Sequence, residues 1–134
     1  MRLQQLDHIT MHTTDAEELA KFYEGVLGFR VGERPAFANS TGAWLYLDDH
    51  PLVHLINEPK ARKADRPQIE HFAFRAEGLA DFLGTLREKK VAYDCRIIPG
   101  REIRQVHIHD SDGNHIEVAF QPHEDADLTN YAGD

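Results

Sequence analysis

His8 and His71 stand 63 positions apart, and so do His54 and Glu117. A constant offset of this size, kept at both ends of a segment, marks a duplicated unit, and duplication constrains a fold more than any local propensity does. At the same offset Asp49-His50 falls on Asp112-Gly113, Leu47 on Asp110, and Trp44 and Tyr46 on His107 and His109. Only the helical stretches need a short deletion in the second copy.

Each copy reads as β-α-β-β-β. In the first, Leu6 to Thr13 alternates like a strand, and a helix capped at Thr14 or Asp15 carries Leu19, Phe22, Tyr23, Val26 and Leu27 on one face and stops at Gly28. Phe29 to Gly32, Ala43 to Leu47 and Leu52 to Ile56 supply three more strands, the last two divided by the turn Asp48-Asp49-His50-Pro51. The second copy repeats this order. Its strands are Ile69 to Arg75, Val91 to Ile97, Ile103 to His109 and the run from His115, with a helix marked by Leu79, Phe82, Leu83 and Leu86. The predicted fold is α+β, a single domain over 1–134 in which two tandem βαβββ modules form a curved sheet around a groove. Module one spans about 3–58, a charged linker about 59–67, module two about 68–120 and an acidic tail 121–134, which lacks periodicity and is read as mobile or packed on a partner.

Glu117 is the odd residue of the last strand. Ile116 and Val118 point to one face, so Glu117 points to the other with His115 and Ala119. A carboxylate inside an apolar strand is costly unless a cation, a metal or hydrogen bonds compensate it. The same alternation puts Ile9, Met11, Val53, Leu55, Phe72, Phe74, Val106 and Ile108 on the helix side. It leaves His8, Thr10, His12, Trp44, Tyr46, His54, His71, Arg75, His107 and His109 on the side of Glu117. Imidazoles and a carboxylate on one surface suit a divalent ion such as Zn, Ni, Co, Mn or Fe. His8, His71 and Glu117 occupy equivalent positions of the repeat and are read as metal ligands; His54, the twin of Glu117, is either a fourth ligand or a base. Isolated strand histidines are more often surface or hydrogen-bonded residues, and His12, His50, His109, His115 and His123 are read that way. His107, Trp44 and Tyr46 are expected to line a substrate pocket, with Arg104 or Arg75 meeting an anionic end of the substrate. Cys95 is read as structural.

Charge narrows the partners. Fifteen basic residues against 23 acidic ones, a formal charge of −8, oppose binding to nucleic acid or an anionic membrane. No apolar run approaches the length of a membrane helix, and one cysteine makes no internal disulfide, so the expected compartment is the cytoplasm.

Four segments carry a resemblance: Leu6-Asp7-His8-Ile9-Thr10, Phe22 to Phe29, Ile69-Glu70-His71-Phe72-Ala73-Phe74, and Asp110 to Glu117. Together they resemble the vicinal oxygen chelate superfamily, which includes glyoxalase I, extradiol dioxygenases and bleomycin-binding proteins. Arg34-Pro35, Gly42 to Tyr46 and Val53 to Ile56 are similar to a glyoxalase-like branch of it. The resemblance implies a metal held by His8, His54, His71 and Glu117, with His54 and Glu117 the candidate catalytic residues, and a small-molecule substrate chelated through adjacent oxygens. It also implies a homodimer. A glyoxalase I of the usual kind carries glutamate where this chain has His54. The implied function is a metal-dependent lyase or isomerase; the alternatives are an Fe(II) extradiol-type dioxygenase and a non-catalytic drug-binding protein.

Overall fold

The computed structural model describes residues 1–2, 6, 8–58 and 71–134, so the expected linker, Ile69 and Glu70 lie outside the described residues. The chain divides into two compact units, Met1–Lys63 and Ala64–Asp134. The first contains β1 (Ile9–Thr13), α1 (Ala16–Leu27), β2 (Arg30–Gly32), β3 (Gly42–Leu47) and β4 (His50–Asn57). The second contains β5 (Phe72–Arg75), α2 (Leu79–Glu88), β6 (Asp94–Ile97), β7 (Arg104–His109) and β8 (His115–Phe120). Each unit forms one four-stranded sheet, ordered β1-β4-β3-β2 and β5-β8-β7-β6. In each, the first strand runs parallel to the fourth and the other neighbours are antiparallel.

The duplication extends to the register. Ile9 pairs with Val53 and Thr10 with His54, while 63 positions on Phe72 pairs with Ile116 and Ala73 with Glu117. Trp44 faces His54 as His107 faces Glu117. Between the β3–β4 and β7–β8 ladders the copies part at a bulge: the shift at Leu45/Tyr46 sets Tyr46 opposite Pro51, whereas His109 faces His115 without a slip.

Alternate strand residues make the cores. Leu45, Val53 and Leu55 are fully buried in the first unit, and Val106, Ile108, Ile116, Val118 and Phe120 nearly so in the second. Each such side chain contributes about 1.5–3 kcal/mol. Gly42 is required where β3 meets β4, because a Cβ there would lie 1.9 Å from the Leu55 carbonyl oxygen.

The helices close the cores. Asp15 caps α1 by accepting from the Glu18 N–H at 3.0 Å, Glu17 and Glu18 favour its first turn, and Leu19, Ala20, Tyr23 and Val26 are buried. Gly28 ends α1 in the left-handed region, φ 73°. The expected deletion lies in the last turn of the second helix: Leu79, Leu83 and Leu86 repeat Ala16, Ala20 and Tyr23 at the full offset, but the residue matching Gly28 is Lys90, φ 58°.

Gly78 opens α2 without a side-chain cap of its own. Glu124 supplies one, its Oε2 accepting from the Gly78 and Leu79 N–H groups at 2.8 Å each, and these bonds hold its carboxyl below the usual range. Tyr93 and Tyr131 exchange backbone hydrogen bonds, Asn130 accepts from the Cys95 N–H at 2.9 Å, and Asp127 stands 3.8 Å from Arg87. The tail is thus packed on its own unit.

Candidate functional site

The face of each sheet opposite the core carries the predicted polar residues, Arg104 excepted. Both histidines expected inside first strands, His8 and His71, instead stand just before them. The two strands begin at the same point of the repeat, so the equivalence survives.

In the first unit the rings form a column. His54 stacks on Trp44 with centroids 3.9 Å apart and planes 7° off parallel, and on its other side lies His8 at 4.2 Å and 15°. The Nε2 of His54 is 2.9 Å from the Pro51 carbonyl oxygen. A carbonyl only accepts, so Nε2 carries the hydrogen and the lone pair of the neutral ring is on Nδ1. Tyr46 belongs to the same surface, but its hydroxyl donates to the Glu33 carbonyl at 2.7 Å and its ring lies 4.8 Å beneath the Arg30 guanidinium. Trp44 and Tyr46 thus each have one ring face already covered.

In the second unit Glu117 is only 8% exposed and sits between Ala73 and His107 in register. His71 approaches it, Nε2 to Oε2, at 3.7 Å. His115, which sequence reasoning set aside, is the hub of this surface: its ring lies 5.2 Å from His71, 5.2 Å from His107 and 5.1 Å from His109, and its Nε2 is 2.9 Å from His107 Nδ1. His107 Nε2 is buried, with no hydrogen-bond partner among the described residues. Burial, aided by the charge of Arg96, holds the His107 imidazole below its usual value, and Glu117 opposes that shift.

Of the arginines expected near the substrate, Arg104 is directed away. It pairs with Phe120 in an unbroken ladder and shares the parity of Val106 and Ile108, so it belongs to the face opposite His107. Its guanidinium donates to the Glu102 carbonyl. Arg75 has the parity of Glu117's neighbour Ala73 and is exposed. Asp110 organises the turn before β8, accepting from the N–H groups of Asp112 and Asn114 and from the Asn114 side chain at 2.8–3.0 Å. The Cys95 N–H donates to the Asn130 side-chain oxygen, and burial pushes its thiol up. Among the described residues no three His, Cys, Asp or Glu side chains converge closely enough to hold an ion; the structure brings together pairs, His8 with His54 and His71 with Glu117.

Among the described residues, no helix is long and apolar enough to cross a membrane. The chain is 30% identical over 126 residues to "Glyoxylase I 4" of Arabidopsis thaliana, covering 88% of this chain and 71% of that protein. Its fold matches a glyoxalase family protein from Bacillus anthracis with a TM-score of 0.75 at 20% identity, over 90% of this chain and 98% of that one. It also matches a lactoylglutathione lyase from Agrobacterium tumefaciens, with a TM-score of 0.67 at 16% identity over 90% and 96%. The profile of the Glyoxalase/Bleomycin resistance protein/Dioxygenase superfamily matches residues 5–118, and the chain belongs to that superfamily.

Proposed function

We propose that this protein is a metal-dependent, glyoxalase-like lyase or isomerase acting on a small substrate with two adjacent oxygens. The observation that carries this reading is Glu117, a carboxylate buried in the middle of a strand with a histidine nitrogen 3.7 Å away. Such a group is costly to keep without a cation, and the imidazole–carboxylate pair is a donor set that Zn, Ni, Co, Mn or Fe accepts. His8 and His54 hold the equivalent repeat positions in the first unit and complete the ligand set. When bound, the ion supplies Lewis acidity toward charge developing on substrate oxygen.

The chain's own residues do the rest. The Pro51 carbonyl keeps the hydrogen of His54 on Nε2, so His54 binds or takes a proton at Nδ1. Trp44 holds that ring in plane, and His107 offers its unpartnered Nε2 on the face of Glu117. One feature favours a second reading. A His54 clamped between Trp44 and His8 is able to stay off the ion, leaving two histidines and one carboxylate, the ligand set of Fe(II) extradiol-type dioxygenases.

Metal analysis of the purified protein and of Glu117→Ala tests the first step. Full metal content in a folded Glu117→Ala variant sinks the assignment. Anaerobic turnover with Ni, Co or Zn supports the lyase or isomerase, whereas ferrous dependence with oxygen uptake supports the dioxygenase. The reading includes a homodimer, which sedimentation measures directly. Mixing His8→Ala with Glu117→Ala subunits reports whether the ligands come from one chain or two.

A further inference from the structure

We propose that Arg34 is the anion-binding end of the substrate site, and that the substrate is a planar organic carboxylate lying along Phe37 and Trp44 toward His54. For the reacting end of the molecule this rests on the metal-site reading above.

Arg34 lies between β2 and β3 and is half-buried. Its Nη2 donates to the Ser40 carbonyl at 3.3 Å and the Ser40 hydroxyl at 2.8 Å, its Nη1 lies 3.4 Å from the Pro35 carbonyl, and its Nε is buried with no hydrogen-bond partner among the described residues. Every one of these acceptors is neutral. No ion pair to Arg34 occurs among the described residues, although the chain carries 23 acidic residues against 15 basic ones. Neutral oxygens aim a guanidinium without cancelling its charge, and a partly desolvated cation favours an anion beside it.

The surroundings say what kind of anion. The guanidinium carbon sits 4.8 Å from the Phe37 ring centre, and Phe37 is 51% exposed. Phe37 is 6.4 Å from Trp44, Trp44 is 3.9 Å from His54, and His54 is 4.2 Å from His8. A row of rings thus leads from an uncompensated cation to the proposed metal ligands, all within one unit. A flat carbon frame suits such a row, and a carboxylate at one end suits the planar fork of arginine. The simpler account, Arg34 as a staple for its loop, explains the Ser40 bonds but neither the absent carboxylate nor the exposed phenyl ring.

Trp44 is the only tryptophan, so its fluorescence in the metal-free protein reports occupancy. The probes are benzoate and its neutral counterpart benzamide. Benzoate is expected to quench saturably, with benzamide at least about tenfold weaker, the usual scale for a charge-assisted hydrogen bond. Arg34→Met should bring benzoate down to the benzamide level, while Ser40→Ala, which removes a staple but keeps the charge, should stay within about threefold of wild type. Equal affinity for the two probes in the wild type overturns the proposal, with no variant required. A loss in Ser40→Ala as large as in Arg34→Met also overturns it, as does unchanged benzoate binding in Arg34→Met. Benzoate binding in a protein that takes up no metal would leave Arg34 standing and fell the metal reading; metal uptake without benzoate selectivity would do the reverse.

Discussion

The Nε2 of His54 lies 2.9 Å from the carbonyl oxygen of Pro51, within the same strand. The contact coincides with the bulge that moves Tyr46 opposite Pro51, the place where the β3–β4 ladder departs from its β7–β8 counterpart. It fixes a tautomer, and with it the nitrogen through which His54 acts. Long-range proton–nitrogen correlation spectra of the metal-free protein in mildly alkaline buffer should show His54 with its hydrogen on Nε2. A hydrogen on Nδ1 would exclude a lone pair there and reverse the assignment.

Trp44 holds the His54 ring by stacking at 3.9 Å. Trp44→Leu should cost about 1 kcal/mol of stability through the lost stack. Because the ring it orients is a proposed ligand, metal affinity should fall on the order of tenfold, the scale seen when an outer contact of a ligand is removed. Calorimetric metal titration of the variant tests the second effect, and an unchanged affinity would confine Trp44 to packing.

Glu117 is expected to trade stability for function. In the metal-free protein, Glu117→Gln should stabilise the fold by on the order of 1 kcal/mol, since a buried charge with one histidine nearby gives way to a neutral group. Saturating metal, at about 100 times its Kd, should stabilise the wild type by about 2.7 kcal/mol and leave the variant unmoved. Denaturant melts with and without metal provide the four numbers.

Lys90 occupies the left-handed position that Gly28 fills in the first unit, at φ 58°. A side chain there crowds its own carbonyl, so Lys90→Gly should raise stability by about 1 kcal/mol. Thermal unfolding is sufficient to check it, and a destabilised variant would mean that the lysine side chain makes a compensating contact.

Glu124 links stability to pH. Its carboxyl is held below the ordinary value of 4.5, chiefly by the Leu79 N–H and also by that of Gly78. A depressed folded value means that the contribution is fully present above the ordinary value and is lost as the pH falls through the lowered one. Glu124→Gln should therefore be less stable than wild type at neutral pH, with the difference closing in acid. A gap that does not change with pH would show that the charge has no part in the cap.

The repeat was legible because it is written in residue types that alternate strictly. His8, His71, His54 and Glu117 could be matched by counting alone, and the ladders preserve that count. Arg104, expected near the substrate, shares the parity of Val106 and Ile108, so the same alternation sets it on the face opposite His107. Other features leave no periodic trace. The hub position of His115 depends on where three ring planes fall, and the Pro51 contact on a one-residue bulge. The role of the tail depends on Glu124 meeting Gly78 across 46 residues, a pairing that no local pattern encodes.

The bulge at Leu45/Tyr46 also bears on how duplicated chains change. A slip along a whole strand would turn buried leucine and valine outward, so inheritance of the interior locks the ladder. A slip confined beyond Leu45 escapes that lock, because Leu45, Val53 and Leu55 keep their places in the core. Twin halves can then drift apart in chemistry at their rims while their interiors stay interchangeable. Exchanging the β3–β4 hairpin tip for its β7–β8 counterpart should consequently yield a folded protein whose His54 has lost its fixed tautomer.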